Sequence, residues 1–166
     1  MEIRNMNIED FEEIAELQVF AWKNAYKGIV ADDYLEKLDV ESWIEKRKNK
    51  LDEFIKNRIV VVEDDVILGN CKYEDYNDEK YSEYDGEIVS IYTRFDKKNI
   101  GIGTILVEEV KKRFRKQSKK GIIIWCLKEN YSARKFYEKM NGNLIGERKT
   151  NISGQEYDEV AYGIKI

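Results

Sequence analysis

The chain of 166 residues has no histidine, no proline and only two cysteines. Without histidine it cannot build a Ser-His-Asp triad, a Cys-His pair or a His-ligated metal site. Acid-base chemistry must therefore fall to Glu, Asp, Tyr, Lys or Cys, and no metal is expected. Cys71 and Cys126 are too few for a disulfide framework and lie in apolar runs, where buried reduced thiols are common. No apolar run approaches the roughly 20 residues of a membrane span. Met1 to Asp10 lacks the basic-then-apolar order of a secretory leader. The expectation is a cytoplasmic protein without a membrane partner. An excess of positive charge is also missing: 29 Lys and Arg stand against 33 Asp and Glu, a net charge of -4, so nucleic acid is not the expected partner. What is present, 42% hydrophobic and 12% aromatic residues, describes a folded chain rather than a disordered one.

The absence of proline, Gly/Ser linkers and internal repeats favours one domain over residues 1–166, with turns made by Gly, Asn and Asp. Met1 to Met6 reads as a first strand. Ile8, Phe11, Ile14, Ala15, Trp22 and Ala25 then recur at helical spacing, and Tyr34 to Asn57 reads as one or two further helices. Arg58 to Glu63 and Val66 to Tyr76 are strands joined at Asp64-Asp65, and Glu87 to Thr93 is another. A glycine loop follows, then Leu106, Val107, Val110 and Phe114 mark a helix. Ile122 to Leu127 is a strand, Ala133 to Met140 a helical face, and the stretch from Leu144 a closing hairpin across Ser153-Gly154. The sum is an α/β (α+β) fold with a mixed central sheet flanked by helices.

The loop Lys98-Asn99-Ile100-Gly101-Ile102-Gly103 lies between a strand and a helix. A glycine pair there lets backbone amides converge on an anion while the helix N-terminus adds partial positive charge. It is not a Walker A loop, which needs Gly-Lys-Ser/Thr, nor a dinucleotide fingerprint, whose third glycine would fall at Leu106. Taken alone it is equally an ordinary tight turn.

The loop, with Asn130-Tyr131-Ser132-Ala133-Arg134-Lys135-Phe136-Tyr137-Glu138-Lys139 downstream, resembles the GNAT superfamily of acetyl-CoA-dependent N-acetyltransferases. The cofactor motif Gln/Arg-x-x-Gly-x-Gly/Ala is matched by Lys98, Gly101 and Gly103 after Ile91-Tyr92-Thr93, and Asn-x-x-Ala-x-x-Phe-Tyr-Glu-Lys by Asn130, Ala133 and Phe136 to Lys139. Trp22 to Gly28 and Tyr34-Leu35 look like a segment common in bacterial members. Phe95 stands where a proline is usual, Lys98 replaces Gln/Arg and Asn99 replaces a frequent glycine, though Asn tolerates a left-handed backbone. The resemblance implies that amides of Asn99, Ile100, Gly101, Ile102, Gly103 and Thr104 hold the coenzyme A pyrophosphate. The Ile91, Tyr92 and Thr93 backbone would pair with the pantetheine arm as an added strand does, and Lys98, Asn130, Ser132 and Tyr137 would complete the cofactor site.

Making an amide from an amine and a thioester needs a neutral amine, stabilisation of the oxyanion and a proton for the departing thiolate. A lysine-like amine, of pKa about 10.4, needs a base near neutral pH. Glu87 is the candidate, sixteen residues before Gly103, roughly where histone-acetylating members of the family place their glutamate; the plainer reading is a solvated strand residue. Tyr137 is the candidate acid, its plainer reading a core aromatic beside Phe136. The oxyanion donor would be an amide near Ile91 or Tyr92. Without a histidine to activate either cysteine, direct transfer is expected rather than an acetyl-cysteine relay.

Between Glu74 and Glu87 seven acids face one lysine, with Tyr73, Tyr76, Tyr81 and Tyr84 interleaved. Such a lip could draw cationic amines such as polyamines, or be a solvated loop. Trp22 and Tyr26, with Glu87, are the candidate acceptor-binding residues. The basic run Lys111 to Lys120 reads mostly as a solvated helix face. The expected partner is a small-molecule or peptide amine; a homodimer is compatible with the sequence. The alternative from another class is a non-catalytic acyl-CoA-binding sensor, against which the presence of both Glu87 and Tyr137 argues.

Overall fold

The computed structural model describes residues 1–94, 96 and 100–166. Among them lie seven strands: β1 (Glu2–Asn5), β2 (Arg58–Glu63), β3 (Val66–Asp75), β4 (Gly86–Thr93), β5 (Gly121–Leu127), β6 (Asn143–Ile152) and β7 (Gln155–Lys165). The α-helices are α1 (Phe11–Ala25), α2 (Asp32–Lys37), α3 (Val40–Glu45), α4 (Leu51–Ile55), α5 (Ile102–Lys116) and α6 (Tyr131–Lys139). The strands form one sheet in the order β1-β2-β3-β4-β5-β7-β6. The sheet is mixed: β4–β5 is parallel, and β1–β2, β2–β3, β5–β7 and β6–β7 are antiparallel. A parallel neighbour cannot be reached through a tight hairpin, which is why α5 intervenes between β4 and β5. The two hairpins fall where the sequence places them. Asp64 and Asp65 both have positive φ (50° and 60°), as do Ser153 and Gly154 (51° and 87°), the backbone a two-residue turn needs to match strand twist.

The chain packs into two compact units, Met1–Lys72 with Ser90–Val107, and Tyr73–Val89 with Glu108–Ile166. It passes through each twice. In the first unit, the apolar stripe of α1 (Phe11, Ile14, Ala15, Leu17, Val19) is buried against Val60 of β2 and Ile67 of β3, with Met6 and Trp43 closing the cluster. Each of the larger of these side chains contributes about 1.5–3 kcal/mol when taken from water. The stretch expected to hold one or two helices holds three short ones, because Asp39 restarts the chain as an N-cap, its Oδ1 accepting from Ser42 N at 2.8 Å. Trp43 and Phe54 meet edge to face with centroids 5.2 Å apart, anchoring these short helices through aromatic contact. Asp10, at the entrance to α1, takes a two-pronged ion pair from Arg4 of β1 (2.7 and 2.8 Å).

The second unit is built on β5, whose Ile122, Ile123 and Ile124 are buried with Tyr162 of β7 and Phe114 of α5. Here the expected acidic lip needs correction. Tyr73, Tyr81 and Tyr84 are buried, not displayed: the rings of Tyr81 and Tyr84 cover glycines of the sheet, and that of Tyr73 packs edge-on against Phe114. Several of the acids serve the fold itself: Asp75 pairs with Lys119 at 2.8 Å, Asp85 accepts from Lys120 N at 2.8 Å, Asp78 caps a 3-10 turn and Glu83 pairs with Lys165. On α5 the basic run is likewise engaged. Lys111 reaches Glu108 at 2.7 Å, and Arg113 reaches Glu109 and the Tyr73 hydroxyl, both at 2.9 Å.

Gly86 opens β4 directly beneath Phe114: a Cβ there would sit 2.5 Å from the ring. Gly86→Ala is expected to destabilise the protein by about 1–3 kcal/mol through overpacking, read as a lower urea midpoint with an unchanged slope.

Candidate active site

The start of α5 is fixed by a close approach. At Gly69 of β3 a Cβ would lie 2.8 Å from Ile102 Cγ2 and 2.9 Å from the Tyr92 carbonyl oxygen, so only glycine lets the first turn of α5 settle on the sheet here. Gly101, immediately before the helix, has φ of 86°, and nothing lies within 4 Å of where its Cβ would be. The amides of Ile102, Gly103 and Thr104 fall in the first turn, where an α-helix offers no acceptor of its own, and the helix dipole adds positive potential. Gly101 and Thr104 are exposed. The expectations placed on Lys98 and Asn99 lie outside the described residues. On β4, the parallel ladder to β5 runs from Gly86 to Ile88; Ile91, Tyr92 and Thr93 lie beyond its last rung, so that edge of their backbone is not claimed by β5.

Glu87 is half-buried within that ladder, opposite Ile123. Burial pushes its pKa above the ordinary 4.5; the Glu74 and Glu159 carboxylates push the same way, and Arg148 opposes them. Tyr137 is buried on α6, its ring 5.5 Å from Phe136 and 5.9 Å from Tyr162. Asn130 caps α6, Oδ1 accepting from Ala133 N at 3.1 Å. Ser132 is exposed in the first turn. The Tyr162 hydroxyl, donating to Glu138 at 2.8 Å and accepting from Arg134 at 3.1 Å, ties α6 to β7.

In the first unit a cavity of about 280 Å³ is walled by Trp22, Tyr34, Trp43, Phe54 and Tyr92. The Trp22 indole donates to the Tyr92 hydroxyl at 2.9 Å, and Tyr26 packs against Trp22 with centroids 4.4 Å apart. Two guanidinium groups, of Arg47 and Arg58, share the wall. Arg58 donates to Asn70 Oδ1 (2.7 Å) and the Phe54 carbonyl (3.1 Å) and lies over the Phe54 ring; Arg47 donates to the Trp43 carbonyl (3.2 Å) and lies 4.0 Å over that indole. Burial pulls the Arg58 pKa down to about 10 and lowers that of Arg47. Among the described residues no cluster of His, Cys, Asp and Glu could hold a metal ion, and no helix is long and apolar enough to cross a membrane. Burial pushes the thiols of Cys71 and Cys126 up to about 12 each.

A helix start whose first amides have no acceptor among the described residues, after a strand whose last residues lie beyond the ladder to β5, suits an extended diphosphate-bearing ligand. The model of the acetyltransferase (GNAT) family matches residues 11–142. The chain belongs to that family. An uncharacterised N-acetyltransferase of Bacillus subtilis is 24% identical over 163 residues, covering 97% of this chain and 91% of the relative. A spermidine N(1)-acetyltransferase of Thermoplasma acidophilum is 26% identical over 152 residues, covering 84% and 86%. In fold, the chain matches a PaiA N-acetyltransferase of Thermoplasma acidophilum solved with coenzyme A, at a TM-score of 0.72 and 23% identity over 99% of this chain and 98% of that one. As a GNAT protein the chain is an acyltransferase, and its family draws the acetyl group from acetyl-CoA. The exposed Gly101 loop, with space where a side chain would stand, and the free β4 edge fit that cofactor.

Sequence reasoning about this GNAT chain missed Gly69, although a glycine inside a strand pattern signals close approach of another backbone. It also missed Arg47 and Arg58: a cation at the start of a strand or after a short helix carries no mark of burial. Replacing Asn130 with Ala should cost about 1 kcal/mol of stability by removing the cap, checked by thermal unfolding with and without coenzyme A.

Proposed function

We propose that the chain transfers an acetyl group from acetyl-CoA directly to a primary amine of a small molecule or peptide, with Glu87 as base and Tyr137 as acid. The observation that carries this reading is the half-buried Glu87, whose carboxylate is made more basic by desolvation and by two neighbouring acids. A carboxylate of ordinary pKa would be a poor proton acceptor from an ammonium group; raising it narrows the gap. Acetyl-CoA, when bound, supplies a thioester, an acyl group already activated toward amines. Amides from Ile100 to Thr104 would hold its diphosphate, and the free backbone edge at Ile91 to Thr93 would align its extended arm; Asn130 and Ser132 are assigned to the same cofactor by resemblance. Overall, from an ammonium, a C–N bond replaces a C–S bond and nitrogen gives up two protons through the Glu87 carboxylate, one released to solvent and one balancing the proton that Tyr137 Oη gives to the sulfur and regains from solvent. The buried, protonated thiols of Cys71 and Cys126 speak against a covalent relay through cysteine.

Glu87→Gln is expected to lower kcat by about 10²–10³-fold at pH 7 while coenzyme A binding is retained. In the wild type kcat/KM should rise with pH as Glu87 ionises, in a limb displaced above the usual carboxylate range, and this limb should vanish in the variant. Stability moves the other way. With a folded pKa raised over the unfolded one, Glu87 favours folding at low pH and loses that contribution as pH rises through the folded value. Glu87→Gln should therefore raise Tm at pH 7 and leave it near the wild-type value near pH 4. Equal activity in the variant would remove Glu87 from the chemistry. Cys126→Ala should keep most turnover; complete loss, with the fold and coenzyme A binding intact, would overturn direct transfer.

A further inference from the structure

The charge in the aromatic cavity of the first unit has the opposite sign from what a polyamine pocket needs. Arg47 and Arg58 both contribute to its wall, and among the described residues neither forms an ion pair. The groups that face them are neutral: the Asn70 amide oxygen, the Phe54 and Trp43 carbonyls, aromatic faces and the tyrosine hydroxyls of Tyr34 and Tyr92. The two cations repel one another, and burial works against both. Removing guanidinium groups from water without a counter-charge is costly, and folding alone gains nothing from it that a buried apolar side chain would not supply better. Among the described residues each arginine uses one or two of its five N–H donors. The remaining donors form the planar fork that recognises a carboxylate through two parallel hydrogen bonds.

We propose that this cavity is an acceptor subsite for an amine that also carries a carboxylate on an aromatic or apolar framework, the class of aromatic and large apolar amino acids or a peptide end of that kind. The aromatic walls would take the apolar part, and Arg47 and Arg58 the carboxylate. At about 280 Å³ the space is at the small end for ligand sites, consistent with a small molecule. Ser90 and Tyr92, two residues apart on β4, share this wall and flank Ile91, the start of the backbone assigned to the cofactor arm. The proposal rests on the acetyl-transfer reading and narrows its acceptor. A polycation would be repelled by the same two arginines.

The test has a binding arm and a turnover arm, both on the full chain. In the first, calorimetry without acetyl-CoA compares 3-phenylpropanoate with 3-phenylpropanamide. The carboxylate is expected to bind at least tenfold more tightly, and Arg47→Ala to erase the difference. Arg47 is the primary variant because it is less buried than Arg58; Arg47→Gln, which keeps the stem and some donors, serves as its check on folding, with coenzyme A binding as a control. In the second arm, L-phenylalanine, L-phenylalaninamide and spermidine compete for acetyl-CoA. L-phenylalanine is expected to show a KM at least tenfold below that of its amide, with the loss in Arg47→Ala falling on KM rather than kcat. Carboxylate binding that depends on Arg47, with no amine acetylated, would sink the transferase reading and keep the anion subsite. Turnover of spermidine or the amide at least as fast as L-phenylalanine, or a ratio unchanged in Arg47→Ala, would overturn the subsite and leave the transferase reading standing.

Discussion

One missing side chain sets where α5 begins on the sheet. Gly69 lets Ile102 and the Tyr92 carbonyl approach β3 to distances that a methyl group would forbid. The first turn of α5 is therefore seated on the sheet, and the left-handed Gly101 can turn the chain just ahead of it. The helix dipole and the unclaimed amides are then directed by the packing of a glycine two strands' worth of sequence away, not by the loop alone. The loop supplies donors; the sheet supplies their position.

Both proposed chemical centres use charge placed where folding alone would avoid it. Glu87 is held half-buried with two acids nearby, and the aromatic cavity holds two guanidinium groups with no carboxylate partner among the described residues. Several other charges are paired as stability would suggest: Arg4 with Asp10, Lys119 with Asp75, Arg113 with Glu109. That contrast supports both proposals, since a protein near its stability threshold keeps such strain where it is useful.

Much of the architecture was legible in the sequence because it follows from local rules. The periodicity of Phe11, Ile14 and Ala15 marks α1, the Asp64-Asp65 and Ser153-Gly154 turns mark hairpins, and Asn130 marks the start of α6. The motif at Gly101 and Gly103 pointed to the family for the same reason, since its chemistry lies in backbone that glycine permits. What escaped depends on residues far apart in sequence. Arg58, Phe54 and Asn70 converge only after β2 and β3 pair, and Gly69 meets Ile102 only after α5 crosses over. Tyr73, Tyr81 and Tyr84 read as a surface lip because acids surround them in sequence, whereas the alternation of a strand and a short turn sends their rings inward.

The two thiols divide evenly between the units: Cys71 lies in the first and Cys126 in the second, both buried and both protonated at any physiological pH. An alkylating reagent can reach either sulfur only when the surrounding structure opens. The chain thus carries a native pair of clocks, one per half, whose separate rates of modification tell whether breathing motions are shared across the fold or confined to one side of it.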